Sequence, residues 1–370
     1  MLEHNAEDLG AIREQARRVL EDCAHPEHLK QLLNEPATFD LALWNKAVEL
    51  GWPSLAIPES AGGLGLGLRG LCLLSEETGR LTASLPLMAN TLTVHALLNT
   101  EATFDNTLLE QLISGEKIAS LALSDPEDGS LLLSPSCRYA NGMINGNKAM
   151  TPFAAVADVA LVQAVTEQGL VLCLIDLSQP QVQRRVYASI DNARSAAELS
   201  FNDAAVTVLG DKPLLIDISR LAALICSFEQ VAGAQSCLEM ARTYALERKA
   251  FGQPIGHFQG IKHKLAEIYC LVELARGCAL SALEAYENGA IDIEAQICAA
   301  RLAAIKAYDY AAQENLHVHG GMGVTWEAMP HHHYRRSRCL ALELGPANHW
   351  SNRLLSALGA DQNQLVAENP

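Results

Sequence analysis

The sequence predicts a mainly α-helical chain with a β domain at its centre, and three observations predict it. Apolar residues recur at helical spacing up to about Gly115. From Lys117 to Gly210 that pattern gives way to short apolar or alternating runs, punctuated by Asn–Gly pairs. Beyond that, three long helical stretches and a short one follow with brief links, the pattern of a four-helix bundle. The expected boundaries are 1–116, 117–210 and 211–370.

In the first part, "TFDLALWNKAVELGWPSLAIPES" has helical apolar spacing and then a Gly–Trp–Pro stop. "ESAGGLGLGLRGLCLLSEETGRL" is a glycine-rich turn feeding a helix. It is not read as a phosphate loop, because no strand precedes it and no GK[ST] follows. In the middle part, "KIASLALS", "SLLLSPS", "VADVALVQAV", "LVLCLIDL" and "AAELSFN" are strand candidates, with turns expected at Asn141–Gly142 and Asn145–Gly146. In the last part, "LAALICSFEQVAGAQSCLEMARTYALERKAF" is one helix candidate. The second, "IKHKLAEIYCLVELARGCALSALEAYENG", closes at Asn288–Gly289, and the third, "DIEAQICAARLAAIKAYDYAAQENLHVHGG", at Gly320–Gly321. "ANHWSNRLLSALGA" is the short fourth.

The chain has 370 residues, of which 49% are hydrophobic and 19% charged, enough for a large globular core. Its formal net charge of −16 weighs against nucleic acid or an anionic membrane as partner. An anionic ligand has to be met by local Arg, Lys or helix N-termini. No apolar run is long and clean enough to span a bilayer, and "MLEHNAEDLGAIREQARRVLED" is charged rather than signal-like. Ten scattered cysteines without a CxxC pair read as reduced, buried thiols of a cytoplasmic protein.

The corner "ERKAFGQPIGHFQ", the loop "LGWPSLAIPESAGGLGL", the segment "SDPEDGS", the hairpin "INGNKAMTPFAAVADVALV" and the turn "NLHVHGGMGVTWEAMPHHHYRRSR" come in one order. In that order the chain resembles the acyl-CoA dehydrogenase family over nearly its whole length. The resemblance implies an N-terminal helical domain, a middle β-barrel-like domain and a C-terminal four-helix bundle. It also implies FAD as cofactor, an acyl-CoA substrate and an electron-transfer flavoprotein as acceptor. By the same resemblance, Arg248, Phe251, Gln259, Gly320, Gly321 and Gly323 serve the FAD of a neighbouring subunit. His317 stands where the family usually has Gln. Arg248 suits a diphosphate, because a guanidinium binds one bidentately. The Gly–Gly–x–Gly follows a helix, so it is no Rossmann fingerprint.

The family's chemistry needs a carboxylate to take the α-proton of the thioester while the flavin takes the β-hydride. The two usual positions fall here at Gly345 or Pro346 and at Ala222, none of them a base. Glu229, two turns past Ala222 on the same helix face, is the first candidate and Glu343 the second. Glu327 is a more remote option. On the flavin side of the β domain the candidates are Ser124, Ser130 and Thr151. Here Ser124–Asp125–Pro126 replaces Thr–Glu–Pro, Leu131 follows Gly129–Ser130 in place of Asp, and Ala149 stands where an aromatic residue is usual.

The neighbour-serving residues are intact while the chain's own flavin side is eroded. The chain therefore resembles one subunit of the bacterial α2β2 type, which acts on bulky acyl-CoAs such as steroid side chains. A self-sufficient homotetramer with an unusual base and a non-catalytic scaffold of the same fold are the alternatives. "HHHYRR" at His331–Arg336 reads as a polar helix start or an anion contact rather than a metal site.

Overall fold

The computed structural model describes residues 2–23, 26–125 and 135–359. The N-terminal part is helical: α1 (Leu2–Cys23), α2 (Pro26–Asn34), α3 (Leu41–Glu49), α4 (Gly67–Arg80), α5 (Leu87–Leu98) and α6 (Asn106–Ser114). Caps fix two of these helices. The side chain of Asp40 accepts from the Leu43 amide at the start of α3, and that of Asp105 accepts from the Thr107 amide at the start of α6.

Among the described residues eight strands follow: β1 (Ala119–Ala122), β2 (Arg138–Ala140), β3 (Met143–Thr151), β4 (Val159–Val165), β5 (Leu170–Asp176), β6 (Val182–Val186), β7 (Ala197–Ala205) and β8 (Thr207–Asp211). They form one sheet in the order β6-β7-β3-β2-β4-β5-β8, with β1 parallel to β4. The sheet runs open from β6 to β8 among the described residues, so the barrel-like expectation is corrected to an open sheet. β6, "VQRRV", is an end strand with mostly exposed side chains. Charge there blunts an unpaired edge.

Asn141–Gly142 makes the β2–β3 turn with both residues left-handed (φ 51° and 82°), as the pair suggests. Asn145–Gly146 does not turn. It lies inside β3 at a register shift, where a Cβ on Gly146 would stand 2.4 Å from the Ser136 carbonyl oxygen. Of the expected strands, "SLLLSPS" lies mostly outside the described residues.

The C-terminal part holds α7 (Lys212–Glu247), the short antiparallel pair β9 (Lys249–Ala250) and β10 (Gln253–Pro254), α8 (Gln259–Glu287), α9 (Ile293–His319), α10 (Pro330–Leu342) and α11 (Ala347–Ala357). The 36 residues of α7 span about 54 Å. The histidine run, read as a polar helix start, opens α10. No helix is long and apolar enough to cross a membrane among the described residues. None of the ten cysteines, all among the described residues, is in a disulfide. Six are buried, but Cys270 is exposed, against the expectation of buried thiols.

Two compact units result. One comprises Met1–Leu74, Ala83–Ala222 and Glu343–Gly345; the other comprises Ser75–Thr82, Ala223–Leu342 and Pro346–Pro370. In the second unit the Glu229 carbonyl oxygen would lie 2.2 Å from a Cβ on Gly79, so α4 and α7 meet backbone to backbone. In the first, Lys148 on β3 is fully buried. Its Nζ lies 2.9 Å from Asp125 Oδ1, which also accepts from the amide and hydroxyl of Ser136. Replacing Lys148 by Met leaves that carboxylate without its cation, and we expect a loss of about 3–5 kcal/mol in urea denaturation. Adding Asp125→Asn to Lys148→Met is expected to recover most of it.

Candidate functional site

The corner after α7 is built by backbone geometry. Phe251 and Gly252 are both left-handed (φ 51° and 82°), and the Ile255 amide closes the bend on the Arg248 carbonyl at 2.8 Å. A non-glycine residue in that region costs about 1–2 kcal/mol. The Phe251 side chain recovers nothing by burial, being 97% exposed, with only an edge contact to Phe258 at 6.2 Å. Arg248 is exposed and has no ion-pair partner among the described residues, and Gln259 is exposed as the first residue of α8. Beneath them Ala241, Ala245 and Val318 form a small core with Tyr244, Ile255, Ile261 and Leu265.

That core ties the end of α7 to the end of α9. Tyr244 stacks on His319 at 4.2 Å. His319 donates from Nδ1 to the Asn315 carbonyl at 2.9 Å, and burial pushes its pKa below the ordinary value. Glu314 accepts from Lys264 on α8 and, at 3.2 Å, from Nδ1 of His317. Past His319 the chain turns at Gly320 (φ 58°) into an exposed stretch with Gly321 and Met322 on the surface and Gly323 buried. The fold thus brings Arg248, Phe251, Gln259, His317, Gly320, Gly321 and Gly323 to one end of the second unit. An exposed guanidinium, an exposed amide, a bare aromatic face and an exposed glycine turn suit the diphosphate and ring systems of a dinucleotide such as FAD.

The first unit holds the other cofactor candidates, and they fit less well. The Thr151 hydroxyl is buried and donates to the Ala149 carbonyl at 2.7 Å. Ser124 is half-buried, and its carbonyl accepts from the Ala149 amide at 3.2 Å. The side chain turned outward at this end of β3 is Met150, 47% exposed, rather than Ala149. Ser130 lies outside the described residues.

Both candidate bases are tied to arginines, which no sequence spacing had signalled. Glu229 Oε1 accepts from Nη1 of Arg336 at 3.1 Å, and Nη2 of Arg336 donates to the Thr82 carbonyl at 2.8 Å. Arg336 is 1% exposed and the Glu229 side chain 12%. Glu343 Oε1 accepts from Nη2 of Arg194 at 2.8 Å, both side chains being buried. Leu344 and Gly345 are both left-handed there (φ 65° and 98°), a loop shape that favours glycine at 345. Ala222 is fully buried, and Glu327 is exposed.

The histidine run starts α10. Trp326, His331 and His332 stack at 5.4 and 4.1 Å, and Arg335 lies 5.6 Å over the Trp326 ring. His333 is fully buried, with its Nδ1 2.9 Å from the Tyr308 hydroxyl. No group of three or more His, Cys, Asp or Glu side chains is set to hold a metal ion among the described residues.

Comparison with known proteins gives the following similarities. Residues 6–116 match the family model described as acyl-CoA dehydrogenase, N-terminal domain, and residues 217–357 the one described as acyl-CoA dehydrogenase, C-terminal domain. The acyl-CoA dehydrogenase IpdE2 of Mycobacterium tuberculosis is 30% identical over 334 residues, covering 90% of this chain and 91% of the relative. A variant of the Tcur3481–Tcur3483 steroid ACAD superposes with a TM-score of 0.90 at 27% identity, over 98% of this chain and 100% of that one. The ChsE4–ChsE5 complex from Mycobacterium tuberculosis gives 0.85 at 25%, over 99% and 98%.

The buried histidine makes stability pH-dependent. Desolvation first, then the Arg336 charge and His332, pushes the His333 pKa down to about 3. Below about pH 6.5 the unfolded chain binds a proton that the folded chain refuses. The contribution of His333 is therefore complete above about pH 6.5 and falls by about 1.4 kcal/mol per pH unit on acidification. Urea denaturation from pH 7.5 to 4.5 is expected to show this slope, and His333→Gln to flatten it.

Proposed function

The chain belongs to the acyl-CoA dehydrogenase family of FAD-dependent oxidoreductases, and we propose that it acts as one subunit of a heteromeric dehydrogenase that converts a bulky acyl-CoA, such as a steroid side-chain thioester, to its enoyl-CoA. The observation that carries this reading is an asymmetry within the chain. The end of α7–α9 offers free donors and a bare aromatic face, whereas Glu229 and Glu343 are each paired with a buried arginine and Thr151 is engaged by its own strand. The similarity to the two-component Tcur3481–Tcur3483 steroid ACAD and to the ChsE4–ChsE5 complex supports the heteromer and the substrate class.

When bound, FAD supplies the acceptor for the hydride that leaves the β-carbon. In this reading Arg248 pairs with the cofactor's diphosphate, Phe251 covers a flat face of it, and Gln259 and His317 give hydrogen bonds. The Gly320–Gly323 turn lets the backbone come close. Those contacts serve a cofactor shared with the partner subunit, which brings the carboxylate that takes the α-proton. An electron-transfer flavoprotein then reoxidises the enzyme, and the assembly works in the cytoplasm.

The test is made on the assembled enzyme. Arg248→Ala removes one bidentate, charge-assisted contact, and flavin release is expected to rise by about tenfold or more. Glu229→Gln combined with Glu343→Gln keeps both hydrogen-bond acceptors. The double variant is expected to be less stable, because each buried arginine loses its counter-ion, but its turnover per bound flavin is expected within about twofold of the parent, since neither carboxylate is the base. Abolished turnover with flavin still bound would contradict the reading and favour a self-sufficient enzyme.

A further inference from the structure

α8 buries one face and leaves the other open. Ile268, Val272, Ala275, Ala279, Ala282 and Leu283 are buried at the three- and four-residue spacing of one helix face, and α8 packs against α9. On the opposite line His263, Ala266, Cys270, Gly277, Ser281 and Glu284 are exposed, with Leu274 beside them at 59%. Gly277 stands in the middle of the helix, where glycine is the poorest former after proline. Its backbone is not left-handed, and a Cβ there would meet no atom within 4 Å among the described residues. Neither the turn of the chain nor its described packing asks for glycine at that point.

The open line is symmetric about a point between Glu273 and Leu274. Cys270 and Gly277 lie equally far from that point along the chain, then Ala266 and Ser281, then His263 and Glu284. Small residues mirror small residues, and a basic end at Lys262 and His263 mirrors an acidic one at Glu284. Size and charge thus share one centre. A two-fold axis there lays a second α8 antiparallel on the first, small residue on small residue and base beside acid. A parallel pairing would set like charge on like.

We propose that the open face of α8 is a contact between two copies of this chain, packed antiparallel about a two-fold axis between Glu273 and Leu274. Gly277 of one copy receives Cys270 of the other, so that a side chain at 277 would hold the helices apart. Small residues along the line bring the axes to the near end of the usual range of about 8–10 Å. From His263 to Glu284 the contact runs about 32 Å. The two Leu274 side chains cover each other at the axis. Glu273 also lies near it, and Arg276 of the same copy answers its charge, with Nε 3.7 Å from Glu273 Oε1. Lys264 and Glu267, on neighbouring turns, are engaged with α9, through Glu314 and the Tyr310 hydroxyl. The contact involves α8 alone and stands whether or not the α7–α9 end holds FAD.

The full-length chain is expressed alone, and its solution mass is read by light scattering over a range of concentrations. The parent is expected to be a dimer. Gly277→Arg projects into space that is open in the single chain, so it is expected to keep the circular dichroism of the parent and to raise the dimer Kd about tenfold or more. Glu284→Lys is expected to weaken the dimer, and adding Lys262→Glu with His263→Glu to restore it. Gly277→Cys in a Cys278→Ser background is expected to give a disulfide-linked pair of chains on mild oxidation with copper phenanthroline, and Cys270→Ser to abolish the link. Positions 270 and 277 of one helix are about 10 Å apart, too far to bridge within a chain. A parent chain that stays monomeric, a dimer indifferent to Gly277→Arg, or a cross-link that survives Cys270→Ser overturns the inference. So does a Gly277→Arg variant that still self-associates but no longer binds a co-expressed partner subunit, since that gives the face to the other chain.

Discussion

Arg336 and Arg194 are guanidinium groups removed from water, and the chemistry left to this chain follows from how each is neutralised. A guanidinium does not lose its proton inside a protein, so a buried one needs an anion or several carbonyl oxygens. Arg336 takes Glu229 and the Thr82 carbonyl, and Arg194 takes Glu343. The carboxylates best placed by sequence to accept a proton thus serve as counter-ions. Removing either one would strand a buried charge, at a cost of about 3–5 kcal/mol.

The other end of the second unit follows the opposite logic. Groups that folding usually satisfies are left open there. Arg248 has no anion among the described residues, Phe251 accepts backbone strain without burial, and Gly320 and Gly321 lie exposed. Rigidity comes from beneath, through the Tyr244–His319 stack, the small apolar core around Val318 and the Glu314 relay. A surface that is stiff below and unsatisfied above is preorganised for a ligand. Little ordering cost falls due when the ligand binds.

The long helices were legible because apolar periodicity and Gly stops are local, and α7, α8 and α9 lie where those signals put them. The corner and the glycine turn were legible as motifs. β2, β6 and β8 were not, since short or charged edge strands carry no alternation to read. Asn145–Gly146 looked like a turn because the dipeptide is ambiguous. The close approach of Ser136, ten residues before Gly146, demands glycine there within a strand. The start of α10 was legible in the histidine run, read as a polar helix start. The partners of Glu229 and Glu343 lie 107 and 149 positions away, beyond any spacing argument, so their salt-bridged character emerged only from the fold.

The central claim is that this chain completes a cofactor site without owning a full one. Its most direct test is the flavin content and solution mass of the chain expressed alone and of the same chain co-expressed with its partner subunit. The account predicts well under one FAD per chain for the isolated protein. In the co-expressed assembly it predicts a full flavin spectrum, with one FAD for every two dehydrogenase chains. A homotetramer carrying one FAD per chain from the isolated protein would contradict it.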